Sequence, residues 1–162
     1  MVRTLAIGAV FALLACSSPG ATTASHQPAS LSRGDAEQLL LRADDLRRLA
    51  FEFPGPTTLS DAFGGPALVR LQAQSQSFGR RGIREEERSS SRDIVFWDPV
   101  AHEAVLQVVA ERRLVTPDQP NAPWSATVRQ WWARLQNLNG SWMIVEQDDL
   151  PLDRWRQVVP SG

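Results

Sequence analysis

The stretch WWARLQNLNGSWMIVEQ, residues 131–147, decides how the fold is interpreted. Asn139-Gly140 stands at its centre, and this dipeptide accepts the positive φ angles that a two-residue hairpin loop requires. The segment after the loop is rich in β-branched and aromatic residues, which favours a strand. The stretch therefore predicts an antiparallel β-hairpin in the last third of the chain.

Residues 125–138, which lead into this loop, allow a second interpretation. Their apolar positions also fit an amphipathic helix, with Ser125 as its N-cap and Gly140 after its end. The positions concerned are Val128, Trp131, Trp132, Leu135 and Leu138. The Asn-Gly turn and the strong strand beyond it favour the hairpin, but the pattern alone leaves strand and helix open.

Two further strands are predicted upstream, because apolar and polar residues alternate over long stretches there. The first is IREEERSSSRDIVFW, residues 83–97, and the second is EAVLQVVAERRLVT, residues 103–116, with a turn between them. One face of the second strand should be the core face; it carries Ala104, Leu106, Val108, Ala110 and Leu114.

The pairing of these two strands is subject to two conflicting demands. Near the turn, an apolar face requires Phe96 opposite Ala104 and Ile94 opposite Leu106, but continuing that register would place two arginines opposite each other. A shift of one residue gives three opposite-charge pairs instead, which are Arg88–Glu111, Glu87–Arg112 and Glu86–Arg113. One extra residue in the first strand satisfies both demands, so we predict a β-bulge at Ser89-Ser90-Ser91.

The chain before the strands has helical periodicity. The first helix is predicted to begin at Ser32 or Asp35 and to end before Pro54. Its core side would carry Leu39, Leu40, Leu46, Leu49 and Ala50, and its solvent side Arg42, Asp44, Asp45, Arg47 and Arg48. The second helix is predicted to follow Gly64-Gly65 and to end at Gly79. Its core side would carry Leu68, Leu71 and Phe78.

Helices followed by antiparallel strands indicate an α+β fold, with N-terminal helices packed on a curved antiparallel sheet of about four long strands. The segments AFGGPALVRL (62–71) and RLQNLNGSWMIVE (134–146) resemble those of the nuclear transport factor two-like fold, also called the cystatin-like cone. The resemblance covers roughly residues 34–150 and implies a curved sheet that wraps over the helices, often with a pocket at its open end. Members of that family include enzymes, ligand binders and assembly domains, so the fold does not select a function.

The first residues have the layout of a secretory signal, with Arg3 followed by an apolar run from Leu5 to Leu14. A membrane-spanning helix needs about 20 apolar residues, so this run is too short to be one. LLAC, residues 13–16, resembles the lipobox of bacterial lipoproteins. The resemblance implies cleavage before Cys16 and a diacylglyceryl group on its sulfur. The alternative is an ordinary signal peptide cut near Ala15 or Ala24, which would leave a free thiol.

These features predict four segments. They are a signal peptide at 1–15, a lipidated disordered tether at 16–33, a single α+β domain at 34–155 and a C-terminal tail at 156–162. The tether is small, polar and broken by proline and glycine, so it has too little apolar surface to fold. We expect the mature protein to be held at the cell membrane or the outer membrane, facing the extracytoplasmic side.

The sequence offers little catalytic chemistry. Cys16 is assigned to the lipid, His26 lies in the tether and His102 stands alone in a turn, so no metal or cofactor site is predicted. A general base in a pocket would have to be a carboxylate, and each candidate has an ordinary surface explanation; these are Asp44, Asp45, Glu111 and Asp148. The 17 basic residues, all arginine, and 18 acidic residues leave no positive excess for binding nucleic acid.

Aromatic residues supply the candidate binding surface. Neighbouring residues of a strand point to opposite faces, so Trp131 and Trp132 cannot both be in the core. We expect Trp131 and Trp142 to face the core and Trp132 to face outward beside Met143 and Val145. Arg112 lies on the core-facing side of its strand, where it either lines a pocket for an anionic group or forms an ion pair.

The function predicted from these observations is that of a lipid-anchored, non-catalytic binding or assembly domain. Its partner would be an envelope protein or a second copy of itself. The alternative is a small-molecule binder or a lyase/isomerase-type enzyme that uses the pocket of the cone. An open pocket with a buried carboxylate of raised pKa would favour this alternative.

Overall fold

The computed structural model describes residues 30–55 and 58–150. Cys16 lies outside the described residues, as do the predicted signal peptide, nearly all of the tether and the C-terminal tail. Helices precede strands, and the helices pack on an antiparallel sheet, which confirms the α+β prediction. The elements are α1 Arg33–Glu52, a 3₁₀ turn Leu59–Asp61, α2 Gly65–Arg80, β1 Arg84–Asp98, β2 Glu103–Val115, β3 Ser125–Leu138 and β4 Ser141–Leu150.

The four strands lie in the order β1-β2-β3-β4, so each strand pairs with its neighbour in sequence. The outer strands β1 and β4 form the edges of this sheet. At one point the connection into α2 covers the edge of β4: the amide of Gly64 donates to the carbonyl of Ile144 at 2.9 Å. The amide of Ile144 in turn donates to the carbonyl of Ala62, also at 2.9 Å. Backbone groups that an edge strand would leave open are therefore paired here.

Residues 125–138 form a strand, which decides between the two interpretations of that segment. The hairpin loop has φ values of 55° at Asn139 and 90° at Gly140, and Leu138 lies opposite Ser141. Positive φ at both loop residues matches the twist of the two strands that the loop joins. The side chain of Asn137 also accepts a hydrogen bond from the Gly140 amide, at 2.9 Å.

The predicted bulge in β1 is confirmed. Ser89 lies opposite Ala110 and Ser91 lies opposite Val109, which leaves Ser90 as the extra residue. Its hydroxyl donates to the carbonyl of Val109 at 3.0 Å. All three predicted opposite-charge positions lie across from each other, namely Arg88–Glu111, Glu87–Arg112 and Glu86–Arg113.

A second bulge, between Ile94 and Phe96, was not predicted. Ile94 lies opposite Leu106 as expected, but Phe96 lies opposite Val105, so the predicted pairing of Phe96 with Ala104 is wrong. Trp97 takes the place opposite Ala104 instead and packs against the core. The bulge thus turns the larger indole toward the helices and Phe96 toward the other face.

The core lies between the two helices and one face of the sheet, which we call the inner face. α1 packs chiefly against β1, and α2 packs chiefly against β4. The largest apolar side chains of this core are fully buried, and they include Leu40, Leu71, Leu106, Trp131 and Ile144. Burial of such a side chain stabilises the fold by about 1.5–3 kcal/mol.

The solvent-facing side predicted for α1 is partly wrong. Asp44, predicted to face solvent, is 1% exposed, whereas Leu49, predicted to face the core, is 42% exposed. The helix begins as expected, because the Ser32 hydroxyl accepts a hydrogen bond from the Asp35 amide at 3.1 Å. α2 continues one residue past Gly79, to Arg80.

Candidate functional site

The inner face of the sheet is apolar over most of its area but carries charges toward the end formed by Arg84 and Val115. Arg129 on β3 donates from Nη2 to Asp44 of α1 at 2.7 Å and from Nε to Glu87 of β1 at 3.1 Å. The side chains of Arg129, Asp44 and Glu87 are 11%, 1% and 2% exposed. Arg92 extends the group, 3.7 Å from Asp44. We call these four residues the buried ion-pair network.

The pKa shifts of Glu87 and Arg129 favour the charged forms of both groups. Burial alone would raise the pKa of Glu87, but the hydrogen bonds and positive charge of Arg129 outweigh burial and hold this pKa below its usual value. Burial alone would lower the pKa of Arg129, yet Glu87 and Asp44 together raise it. Glu87 is therefore an ionised partner of arginine rather than a group poised to exchange a proton.

A pocket of about 240 Å³ lies beside this network, between the two helices and the charged end of the sheet. We call it the Arg47 pocket, after the residue of α1 that lies next to the network. Its walls come from both helices and from β1, β2 and β4. They consist of Arg47, Phe51, Arg70, Gln74, Phe78, Glu85, Arg112, Gln147, Asp148 and Asp149.

Arg47 contacts both Phe51 and Asp149 on the wall of this pocket. Its guanidinium lies 5.9 Å from the centre of the Phe51 ring, and its Nη2 is 3.5 Å from Asp149. Its Nε is buried and has no hydrogen-bond partner among residues 30–55 and 58–150. Burial, and then the nearby charge of Arg129, lower the pKa of Arg47, and the surrounding carboxylates offset this only in part. Arg47 is thus a buried cation that its neighbours neutralise incompletely.

Arg112 lies in a pocket wall and in an ion pair, the two surroundings considered from sequence. It lines the Arg47 pocket, and it also forms an ion pair with Glu85. Glu85 lies on the same inner face, two residues before Glu87 in the alternating strand. Arg112 therefore contributes to the pocket while its charge is already balanced.

The other residues of the candidate binding surface do not come together. Val145 is 6% exposed and lies beside Gly65 at the start of α2, so it belongs to the interior. Met143 is half-buried next to Gly64, away from Trp132. The predicted patch is wrong because Val145 is the extra residue where β3 and β4 shift register between Arg134 and Leu135, so it leaves the alternation that would have placed it on the face of Trp132.

The face assignment of the three tryptophans is confirmed. Trp131 is 1% exposed in the core, and Trp142 packs against the core and lies edge-on to His102, with ring centres 4.8 Å apart. Trp132 lies half-buried on the outer face, opposite Val105. Its Nε1 donates to Glu103 at 3.1 Å, and the Arg134 guanidinium lies 5.5 Å from the centre of its ring.

The remaining sequence candidates are not assembled into a catalytic group. Asp45 pairs with Arg92 at 2.7 Å, Glu111 is exposed opposite Arg88, and Asp148 pairs in the sheet with Trp132. Within the described part of the chain, no three His, Cys, Asp or Glu side chains cluster as metal ligands would. None of the described helices has the length and apolarity that crossing a bilayer requires.

The comparisons with known proteins give a structural likeness alone. No family model matches the chain, and no curated protein matches it. Among solved structures, the crystal structure of the intermembrane space region of chloroplast protein ARC6 is similar, with a TM-score of 0.59 at 16% identity. The match covers 74% of this chain and 97% of that one. At this identity the likeness shows the fold, and the resemblance to the cystatin-like cone stays a prediction.

Proposed function

We propose that the protein is an extracytoplasmic lipoprotein, anchored through Cys16, whose α+β domain binds a partner protein without catalysing a reaction. The anchor rests on the LLAC motif and on the short apolar run before it. Two or more acyl chains give stable membrane attachment, so the lipid on one such cysteine is enough.

The buried ion-pair network is the observation that carries the non-catalytic assignment. Among the residues that this chain offers, a general acid in a pocket would be a carboxylate whose pKa is raised toward neutrality. In the described residues, the buried carboxylates Asp44 and Glu87 are both held by Arg129 at hydrogen-bond distance. The pKa of Glu87 is lowered, which is the opposite of what a general acid needs.

The contact surface that we propose is the outer face of the sheet. Phe96, Val105 and Trp132 lie side by side on it in three adjacent strands, followed by Val109 opposite Val128. The described helices pack on the inner face. On the outer face Phe96 and Trp132 are half-buried, and Val105 between them is 0% exposed. Val128 is 44% exposed. Aromatic residues flanked by arginine are favoured anchors at protein interfaces.

A photo-crosslinking amino acid at Val128, introduced in living cells, tests the contact surface. The matched control is the same substitution at Val69, which is 67% exposed on α2. We expect one adduct of defined mass from position 128 and none from position 69. The same adducts from both positions, or none from position 128, would contradict the proposal.

Labelling of cells with an alkyne fatty acid tests the anchor separately. The wild-type protein should carry the label and sediment with membranes, and Cys16→Ser should lose both properties. Equal labelling of the Ser variant would exclude lipidation at Cys16, without affecting the crosslinking result.

A further inference from the structure

Three buried N–H groups of the described residues lack acceptors, and one of them, Arg47 Nε, belongs to the wall of the Arg47 pocket. Arg47 Nε, Arg129 Nη1 and Trp131 Nε1 are buried and find no hydrogen-bond partner among residues 30–55 and 58–150. Arg47 lines the pocket itself, and Trp131 lies opposite Asp149, another residue of its wall. Buried polar groups are normally paired. Arg47 Nε therefore marks a missing acceptor on this wall, and the unpaired Gln147 Oε1 marks a missing donor on the same wall.

Asp149 shows what kind of acceptor fits. It is helix-facing, because its partner Trp131 lies in the core, and its carboxylate is 3.5 Å from Arg47. Charge-assisted hydrogen bonds of arginine are usually about 2.7–2.9 Å long, and Arg129 meets Asp44 at 2.7 Å. The Asp149 side chain is also 66% exposed. Arg47 is therefore paired loosely with a surface carboxylate that a better-placed one can replace.

The other charges of the pocket leave a positive balance for such a ligand. Glu85 is neutralised by Arg112. Arg70, on the exposed side of α2, lines the pocket and forms no ion pair within the described part of the chain. Once Asp149 is displaced, the wall therefore has Arg47 and Arg70 against the single carboxylate of Asp148.

The pocket also has an apolar wall. Phe51 and Phe78 lie edge to face with ring centres 5.1 Å apart, and both line the pocket. A volume of 240 Å³ accommodates a carboxylate with a short hydrocarbon group, but not a large molecule. We propose that the Arg47 pocket binds a small carboxylic acid, whose carboxylate replaces Asp149 at Arg47 and whose carbon chain lies against the two phenylalanines.

This inference goes beyond the proposed function, because it requires neither the lipid anchor nor a protein partner. Butyrate is a suitable probe, with butyramide as its uncharged analogue and inorganic phosphate as a non-carboxylate anion. Each is titrated at constant ionic strength into the full chain in detergent, while ¹H–¹⁵N spectra record the Arg47 Nε–H and Trp131 indole signals. We expect a saturable shift of these signals with butyrate and none with butyramide or phosphate.

Three variants make the test specific. Asp149→Asn removes the competing carboxylate and should bind butyrate about fivefold more tightly, whereas Arg47→Gln should bind at least about tenfold more weakly. Arg42→Gln is the matched control, because Arg42 is an exposed arginine of the same helix, 3.4 Å from Asp61. It should bind like the wild type.

The proposal fails if butyramide or phosphate saturates the same signals as well as butyrate does. It also fails if Arg42→Gln weakens binding as much as Arg47→Gln, or if Asp149→Asn leaves the affinity unchanged. Because Asp149 is a surface residue, its variant keeps the test decisive even if Arg47→Gln does not fold.

Discussion

Asp44 and Asp45 are neighbours on α1 with opposite environments. The Asp44 side chain is 1% exposed and the Asp45 side chain is 47% exposed, although both approach Arg92. Asp44 also accepts a hydrogen bond from the buried Arg129, 85 residues away in the chain. Removing one member of a buried ion pair leaves the other charge without compensation, whereas an exposed pair contributes little.

We therefore expect Asp44→Asn to lower the free energy of unfolding by about 3–5 kcal/mol. Asp45→Asn, the matched control, should lower it by less than about 1 kcal/mol. Urea denaturation of both variants at neutral pH measures the difference. Equal losses in the two variants would mean that the buried network contributes no more than a surface pair.

The spacing of Asp44 in α1 indicates that it is buried, but its charge indicates exposure when the helix is considered alone. Asp44 follows Leu40 by four residues and therefore shares its buried side of α1. A charged residue at such a position is normally assigned to the solvent-facing border of the apolar side of the helix. Arg129 lies two residues before Trp131 in β3 and therefore points to the same face. Only the packing of α1 on the sheet brings Arg129 and Asp44 together.

At the scale of the elements, the two bulges of β1 differ in how far sequence can predict them. The bulge at Ser90 follows from a conflict between charge pairing and apolar pairing, and both patterns are visible in the sequence. The bulge between Ile94 and Phe96 lies in the apolar run Ile94-Val95-Phe96-Trp97, where alternation does not say which residues face inward. Only the packing of Trp97 against the core decides it.

The β3–β4 hairpin gives a prediction at this scale. Gly140 has φ of 90°, and a Cβ atom at this position would meet no atom within 4 Å. Gly140→Ala should thus destabilise the protein through the backbone alone, by about 1–2 kcal/mol. Gly34, in the first turn of α1, is the control, because its Cβ would make only an ordinary contact of 3.8 Å.

Gly34→Ala should stabilise the protein by about 0.5–1 kcal/mol, since alanine favours the helix. Thermal denaturation checks both predictions: Gly140→Ala should lower the melting temperature and Gly34→Ala should raise it. A stabilising effect of Gly140→Ala would show that the loop does not require its left-handed conformation.

For the whole molecule, the network predicts how stability depends on pH. The pKa of Glu87 is lower in the folded state than its usual value, so folding favours the ionised carboxylate. This contribution is complete above the pKa of an unfolded glutamate, about 4.3, and is lost as the pH falls through the lower folded value. We expect the wild type to lose stability below about pH 4.3 and Glu87→Gln to show a shallower loss there.

Denaturant titrations at a series of pH values measure this slope. Glu37→Gln, at an exposed position of α1, is the control and should retain the wild-type slope. If Glu87→Gln also retained it, the acid sensitivity would have to come from other groups.

The fold class follows from the sequence because the apolar period changes from helical to alternating near Gly82, and because the Asn139-Gly140 turn fixes one hairpin. The Arg47 pocket does not follow, since its walls come from five separate elements. No local pattern records that Arg47, Arg70 and Asp149 meet. The sequence shows which residues are charged or aromatic, but it does not show which of them lie close together in the fold.

The order of the helices and strands along the chain has a consequence for how the protein folds during synthesis. Each strand pairs with the next one along the chain, so the sheet needs only short-range closures, which form quickly. The helices, however, leave the ribosome before any strand that can cover them. Because α2 packs chiefly against β4, the last strand, the apolar side of Leu71 must stay exposed until that strand is made. Aggregation through this exposed side should therefore limit the yield of folded protein.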